Sequence, residues 1–441
     1  MTIDLLQVLI ALLAGIAAII LLTAKYRVHA FFALFLACFI TGLCAQLSIA
    51  AIITAVKEGF GNIMRSLGFI IVLGTTLGVL LEHTGSTRVM AASILKVVGE
   101  RYAAIAMSIT GFIVGLPIFC DSGYIVLSGL NQSLARRTGI SVVIMSVSLA
   151  TGLYSVHCLI PPHPGATAAA GVIGADFGKL ILMGILVAIP AAIAGGCWAH
   201  YAGKKIPIAV EEQAHIVADG PTPPVWVAFM PVIVPIILIA IGAFTNIETA
   251  AGSAMRIFHI LGDPIVALSI GVLLAFAGSR QWNRKTTSAL LTESAEKAGG
   301  ILVIIGAGGA FGAVLAATKI GQHVSAAVPL ASFGIVFPFL LTALLKTAQG
   351  SSTVAIITAA SIIQPLLPAL GLDSSMGRLL CILALGGGSM TISHANDAYF
   401  WVISKFSGLE MRTMLKVYSV ATLWMGLVSL ATVYILSLFL L

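Results

Sequence analysis

Apolar runs of about twenty residues recur from one end of this 441-residue chain to the other, and little else in it could coat a water-facing surface. Such a run, as a helix, is long enough to cross a hydrocarbon core of about 30 Å. Only 9% of the residues are charged and 59% are hydrophobic, whereas a soluble domain carries roughly 25% charge. A soluble enzyme, a nucleic-acid binder and a secreted disulfide scaffold are excluded. The formal charge of +7 comes from basic residues scattered singly and in pairs, so it is no nucleic-acid signature. A β-barrel would need short alternating segments of about ten residues, and these runs are uniformly apolar. The six cysteines lie inside apolar segments with no CxxC pair and read as small hydrophobes. Residues 1–22 lack a basic start and a clear small-residue cleavage site, which favours a retained span over a cleaved signal. The expected fold class is an all-α polytopic membrane protein.

Full spans are expected near 4–23, 28–47, 67–84, 141–164 and 178–202, and again near 226–246, 260–279, 299–317, 376–404 and 413–440. Amphipathic stretches at 48–66 and 286–298 read as interfacial helices. Two further apolar stretches, 103–135 and 326–366, are interrupted by Pro117–Gly123 and by Lys346–Thr353, and fit re-entrant hairpins with tips near the midplane. With both termini outside, sixteen Lys and Arg fall on the inner side and six on the outer, with Lys346 inside the second hairpin. That asymmetry obeys the positive-inside rule. A polar, proline-rich segment, 203–224, reads as a cytoplasmic linker between halves 1–202 and 225–441.

The halves follow one order of elements. Gly74-Thr-Thr-Leu-Gly78 precedes Gly308-Gly-Ala-Phe-Gly312 by 234 positions, Asp121-Ser122 precedes Gly350-Ser351 by 229, and a break at Gly152 precedes one at Gly388 by 236. Five full spans per half, an odd number, would set the copies in opposite senses across the membrane. Inverted repeats with broken helices hold substrates near the midplane of transporters.

Polar side chains gather in four stretches at membrane depth. The first hairpin tip carries Asp121, Ser122 and Gly123; the first broken helix carries His157 and then Pro161-Pro-His-Pro-Gly165. No helix runs unbroken through three prolines in four residues. His163 reads as lying nearer the outer surface. The second tip carries Lys346 and then Gly350, Ser351, Ser352 and Thr353, the last three at a helix N-terminus suited to an anion. The second broken helix carries Ser393, His394, Asn396 and Asp397 behind three glycines, Gly386–Gly388, expected to loosen its backbone. Ionisable groups at this depth are functional candidates; Asp121, His157, His394 and Asp397 are candidates for proton coupling. Asp121 and Asp397 also fit plain helix caps, and His157 a packing residue.

Gly115-Leu-Pro-Ile-Phe-Cys-Asp-Ser-Gly-Tyr124, Pro161–Gly165, Ala348-Gln-Gly-Ser-Ser-Thr-Val-Ala355 and Ser393-His-Ala-Asn-Asp-Ala-Tyr-Phe-Trp401 resemble, in order, the signature stretches of the gluconate permease family. The resemblance covers essentially the whole chain. It implies a bacterial inner-membrane proton symporter for gluconate and related sugar acids, with some members carrying D-serine or other small hydroxy acids. It also implies a homodimer that works by an elevator motion, and it needs no cofactor. The expected solutes are a small organic anion and a proton, moved across the lipid bilayer, with Lys346 and the Ser351–Thr353 amides on the carboxylate. Sodium coupling, a passive channel and an intramembrane metal-dependent hydrolase built on His157, His163, His394 and Asp397 are the rival readings. The hydrolase lacks HExxH-type spacing, so no metal site is expected.

Overall fold

The computed structural model describes residues 5–206, 222–243, 257–258, 260–278, 282–320 and 330–441. Among these residues all regular structure is helical. The first half comprises α1 (Leu5–Ile20), α2 (Ala30–Cys44), α3 (Ile49–His83), α4 (Ser86–Val98), α5 (Ala103–Gly115), α6 (Cys120–Thr138), α7 (Val142–Leu159), α8 (Pro164–Ile173) and α9 (Phe177–Gly203). The second comprises α10 (Val225–Ala243), α11 (Pro264–Phe276), α12 (Arg284–Ala317), α13 (Val336–Gln349), α14 (Ser352–Ile363), α15 (Ser375–Met390), α16 (Ala398–Ser407) and α17 (Met411–Leu440). Most of the expected linker (residues 207–221), the ends of spans 226–246 and 260–279, and the start of hairpin 326–366 lie outside the described residues.

By length and composition eight helical runs among the described residues can cross a membrane, or nine if α4 and α5, bent by 109°, form one broken span. The ten expected spans differ from these in identifiable ways. The amphipathic stretches 48–66 and 286–298 are not separate interfacial helices. Each runs without interruption into the following span, giving α3 at 35 residues and α12 at 34. No proline stands within either, so nothing breaks the hydrogen-bond ladder where the surface chemistry changes. Conversely, α2 and α11 have only 15 and 13 residues, about 20 Å of helix at 1.5 Å per residue. The arm after Gly350 continues through a 3-10 turn to Leu370, and this run of 19 residues is itself long enough to cross.

The helix boundaries around the breaks follow from local chemistry. Ile160 is extended, as a residue before proline prefers, and ends α7. Pro164 stands at the first turn of α8, where a missing N–H costs nothing. In the most apolar window of α7–α8, 94% of residues are inside the protein, against 22% for α1 and α17. The broken helix is therefore the centre of the molecule, and α1 and α17 are its rim.

Gly152 and Gly388 do not break their helices. Both lie inside continuous helix, and the interruptions come later, at Ile160–His163 and Thr391–Asp397. A Cβ on Gly152 would sit 2.1 Å from the Ser108 carbonyl oxygen of α5, and one on Gly388 would sit 2.3 Å from the Phe339 carbonyl oxygen of α13. Each glycine lets the first arm of its own half's hairpin lie backbone-to-backbone against the central helix. Gly386, likewise packed, would meet the Cys158 carbonyl at 2.6 Å. The second arms then cross between halves: α8 packs on α14, and α16 packs on α6.

Gly388→Ala should therefore lower thermal stability by the overpacking cost of about 1–3 kcal/mol. Gly61→Ala, where a Cβ meets nothing within 4 Å, should raise it by about 0.5–1 kcal/mol. Thermal unfolding of the two purified variants in detergent measures both; equal shifts would contradict the packing role.

Candidate functional site

The second hairpin turns at Gly350, whose φ of 85° is left-handed and whose Cβ would fall 2.1 Å from the Asn396 carbonyl oxygen. Only glycine meets both demands. Ser351 then caps α14, its hydroxyl accepting from the Val354 N–H at 3.3 Å. Four residues before the turn, Lys346 is fully buried. Its ammonium donates to the Gly350 carbonyl at 2.6 Å and to Asp397 Oδ2 at 2.6 Å. Asp397 caps α16 through Oδ1, which accepts from the Tyr399 N–H at 3.0 Å, while Oδ2 also accepts from the Ser393 hydroxyl. The Thr347 carbonyl is one of the four that α13 leaves without an intrahelical partner. It accepts from Asn396 Nδ2 at 2.8 Å and from His394 Nε2 at 3.1 Å. A carbonyl only accepts, so His394 carries its proton on Nε2.

The first half repeats the device. His163, at the N-cap of α8, places Nε2 2.6 Å from the Gly115 carbonyl at the end of α5. It is 2% exposed, so it is no solvent-facing loop residue: the proline-forced break seats it on the end of the first hairpin arm. His157 stands with its ring 4.9 Å from that of His163 and stacks on Tyr154 at 6.2 Å. Asp121, half-buried in the first turn of α6, has a 3.7 Å contact with Cys120 Sγ and no ion pair among the described residues. Ser122 beside it is half-buried, and Gly123 is buried against Leu153.

The four stretches come together. Asp121 and Asp397 are close enough to act on each other's charge, as are His157 and Lys346. A Cβ on Gly165 would lie 3.5 Å from Thr353 Cα. Tyr154 donates to the Ser389 carbonyl at 3.4 Å and Tyr399 to that of Ala150 at 3.3 Å, tying the central helices of the two halves. Ser352 is buried, while Ser351, Thr353 and His394 are half-buried and Asn396 is exposed. Lys346, expected to face a carboxylate solute, is instead enclosed and neutralised by Asp397 in this conformation. A groove of about 860 Å³ at the exposed start of α12 and a cleft of about 330 Å³ between α9, α10 and α11 lie elsewhere. Lys346, Asp397, Ser393, His394 and Asn396 bond one another or the hairpin backbone. Tyr399 and the two acceptor carbonyls, Gly115 and Thr347, were not singled out from the sequence; backbone acceptors leave no sequence signal.

Residues 7–439 match the description of the GntP family permease. The chain belongs to that family. A gluconate permease of Pseudomonas aeruginosa is 34% identical over 97% of this chain and 96% of its own. The Escherichia coli (strain K12) D-serine transporter DsdX is 30% identical over 97% of each chain. The crystal structure of the Alcanivorax borkumensis YdaH transporter, of unusual topology, shares the fold with a TM-score of 0.63 at 16% identity, over 86% of this chain and 87% of that one. This GntP permease is thus a multi-pass membrane transporter and not an enzyme, which removes the hydrolase reading.

Removing one partner of a buried ion pair strands the other charge, at a cost of about 3–5 kcal/mol. Lys346→Met in this permease should show that loss in thermal unfolding, and Lys346→Met with Asp397→Leu should recover most of it. Additive losses would mean the two groups do not stabilise each other.

Proposed function

We propose that this GntP permease imports a small hydroxylated monocarboxylate, gluconate or a related sugar acid, together with a proton. The observation that carries the reading is a site of one cation and two carboxylates in which Lys346 neutralises Asp397 and Asp121 is left without a counter-charge. The empty site then bears one net negative charge. A bound carboxylate would make it two, and a proton on Asp121 restores one. Empty and loaded sites cross the low-dielectric barrier with equal charge, which is the physical reason to couple the anion to a proton. His394 and Asp397 are held by their hydrogen bonds as positioning groups, and Asp121 is the carboxylate left to take the proton.

The carboxylate rests on the first amides of α14, those of Ser352 and Thr353, because Val354 is already taken by the Ser351 hydroxyl and the helix dipole favours an anion there. Ser122, Thr353 and Asn396, reachable from water, meet the hydroxyls. Lys346 positions this amide pair by holding the hairpin turn onto the break. The matching order of helices in the halves supports an inverted repeat. The bonds from Lys346, Asn396 and His394 to the hairpin would make hairpin and broken helices one moving body, sliding along α3 and α12 in an elevator motion. A homodimer in the bacterial inner membrane, with both termini outside, completes the proposal. D-serine, carried by the Escherichia coli relative, is the second reading, since it too joins a carboxylate to a hydroxyl.

Uptake of labelled gluconate into proteoliposomes, with a proton or a sodium gradient imposed separately, tests the coupling. Accumulation should follow the proton gradient alone; accumulation on sodium alone would defeat the proposal. Asp121→Asn should abolish gradient-driven accumulation, by about tenfold or more, and leave counterflow exchange intact.

A further inference from the structure

We infer that Gln349 selects the solute: its amide reads a hydroxyl on the carbon next to the carboxylate and favours a hydroxy acid over the matching amino acid. The inference rests on the transport reading above and sharpens it. Gln349 is the last residue of α13, three residues after Lys346 and one before the Gly350 turn that leads into α14. Both of its side-chain polar atoms, Nε2 and Oε1, are buried without a hydrogen-bond partner. No other described side chain leaves two such atoms. Native proteins rarely leave a buried amide unmatched, so a side chain with both polar atoms unpaired calls for a partner.

Its surroundings indicate which. His157 Nδ1 is also buried and unpartnered, and His157 lies within reach of the Lys346 charge. Gln349 shares the last turn of α13 with Lys346, whose ammonium is already occupied by Asp397 and the Gly350 carbonyl. A leucine at 349 would fill the same space with no unmatched atoms, so packing alone does not call for an amide. Gln349 and the first amides of α14 stand on the two sides of one tight turn. A solute whose carboxylate rests on those amides brings its next carbon beside Gln349.

The amide offers one acceptor oxygen and N–H donors. A hydroxyl, itself donor and acceptor, satisfies both ends. An ammonium has donors only and leaves Nε2 unmatched; a C–H leaves both unmatched. A site whose buried polar groups are completed by a substrate hydroxyl rejects analogues that lack it far more strongly than an apolar pocket does.

The test compares gluconate, its 2-deoxy analogue and its 2-amino analogue as competitors of labelled gluconate uptake into proteoliposomes of the full chain. The thermal shift each causes in detergent reads binding without transport. The wild type should bind both analogues at least about tenfold more weakly than gluconate. Gln349→Met should lose about tenfold in gluconate affinity, bring the three solutes to near parity, and keep or raise the unfolding temperature without solute. Equal binding of the three by the wild type overturns the inference, as does absence of gluconate binding or an unchanged ratio in the variant. The wild-type comparison decides even if the variant does not fold. Discrimination in the thermal shift without gradient-driven uptake would sink the transport reading and leave the assignment of Gln349 standing.

Discussion

Backbone groups inside a bilayer must find partners within the protein, because hydrocarbon offers none. The interruptions of helix at the centre of the described residues are shaped by that demand. The first arm of each hairpin ends near the centre of the molecule with open carbonyls. Side chains of the same half's broken helix close them: His163 on Gly115, and His394 with Asn396 on Thr347. Lys346 closes the Gly350 carbonyl at the turn itself. The polar residues that draw attention in the sequence are thus first the partners of an interrupted backbone. Their interruption is also what brings amides, hydroxyls and charges to one place.

Close backbone contact makes this geometry possible. Gly152 and Gly388 bring each hairpin's first arm against its central helix at distances that exclude any side chain, and the second arms cross to the opposite half. Two hairpins and two broken helices therefore share one centre, with Asp121 from one half acting on Asp397 from the other. The ion pair between Lys346 and Asp397 leaves a single uncompensated carboxylate in that centre. Relatives of this chain are named for solutes as different as gluconate and D-serine.

Much of the fold was legible because membrane folding depends on one-dimensional quantities: the length of apolar runs, the placement of prolines and the distribution of Lys and Arg. The hairpin interruptions at 116–119 and 350–351 and the proline break at 160–163 stand where the sequence signals them. The merging of 48–66 with 67–84, and of 286–298 with 299–317, was hidden because amphipathicity reports a change of surroundings and not a bend. Glycines misled for a related reason. Gly152, Gly386 and Gly388 look like breakers in isolation, but a neighbouring helix at backbone distance makes them contact points.

The sequence by itself determined the all-helical membrane class, the places where helices must stop, and the residue types gathered at the centre, since these follow from hydrocarbon's refusal of charge and of unbonded peptide groups. Only the tertiary structure decided which of those residues meet. It gave Lys346 to Asp397, seated His163 on the end of the first hairpin arm, left Asp121 without a cation and left the Gln349 amide unmatched. Such pairings depend on distances between segments more than two hundred residues apart in places, and these are fixed by how the helices pack, not by any local pattern along the chain.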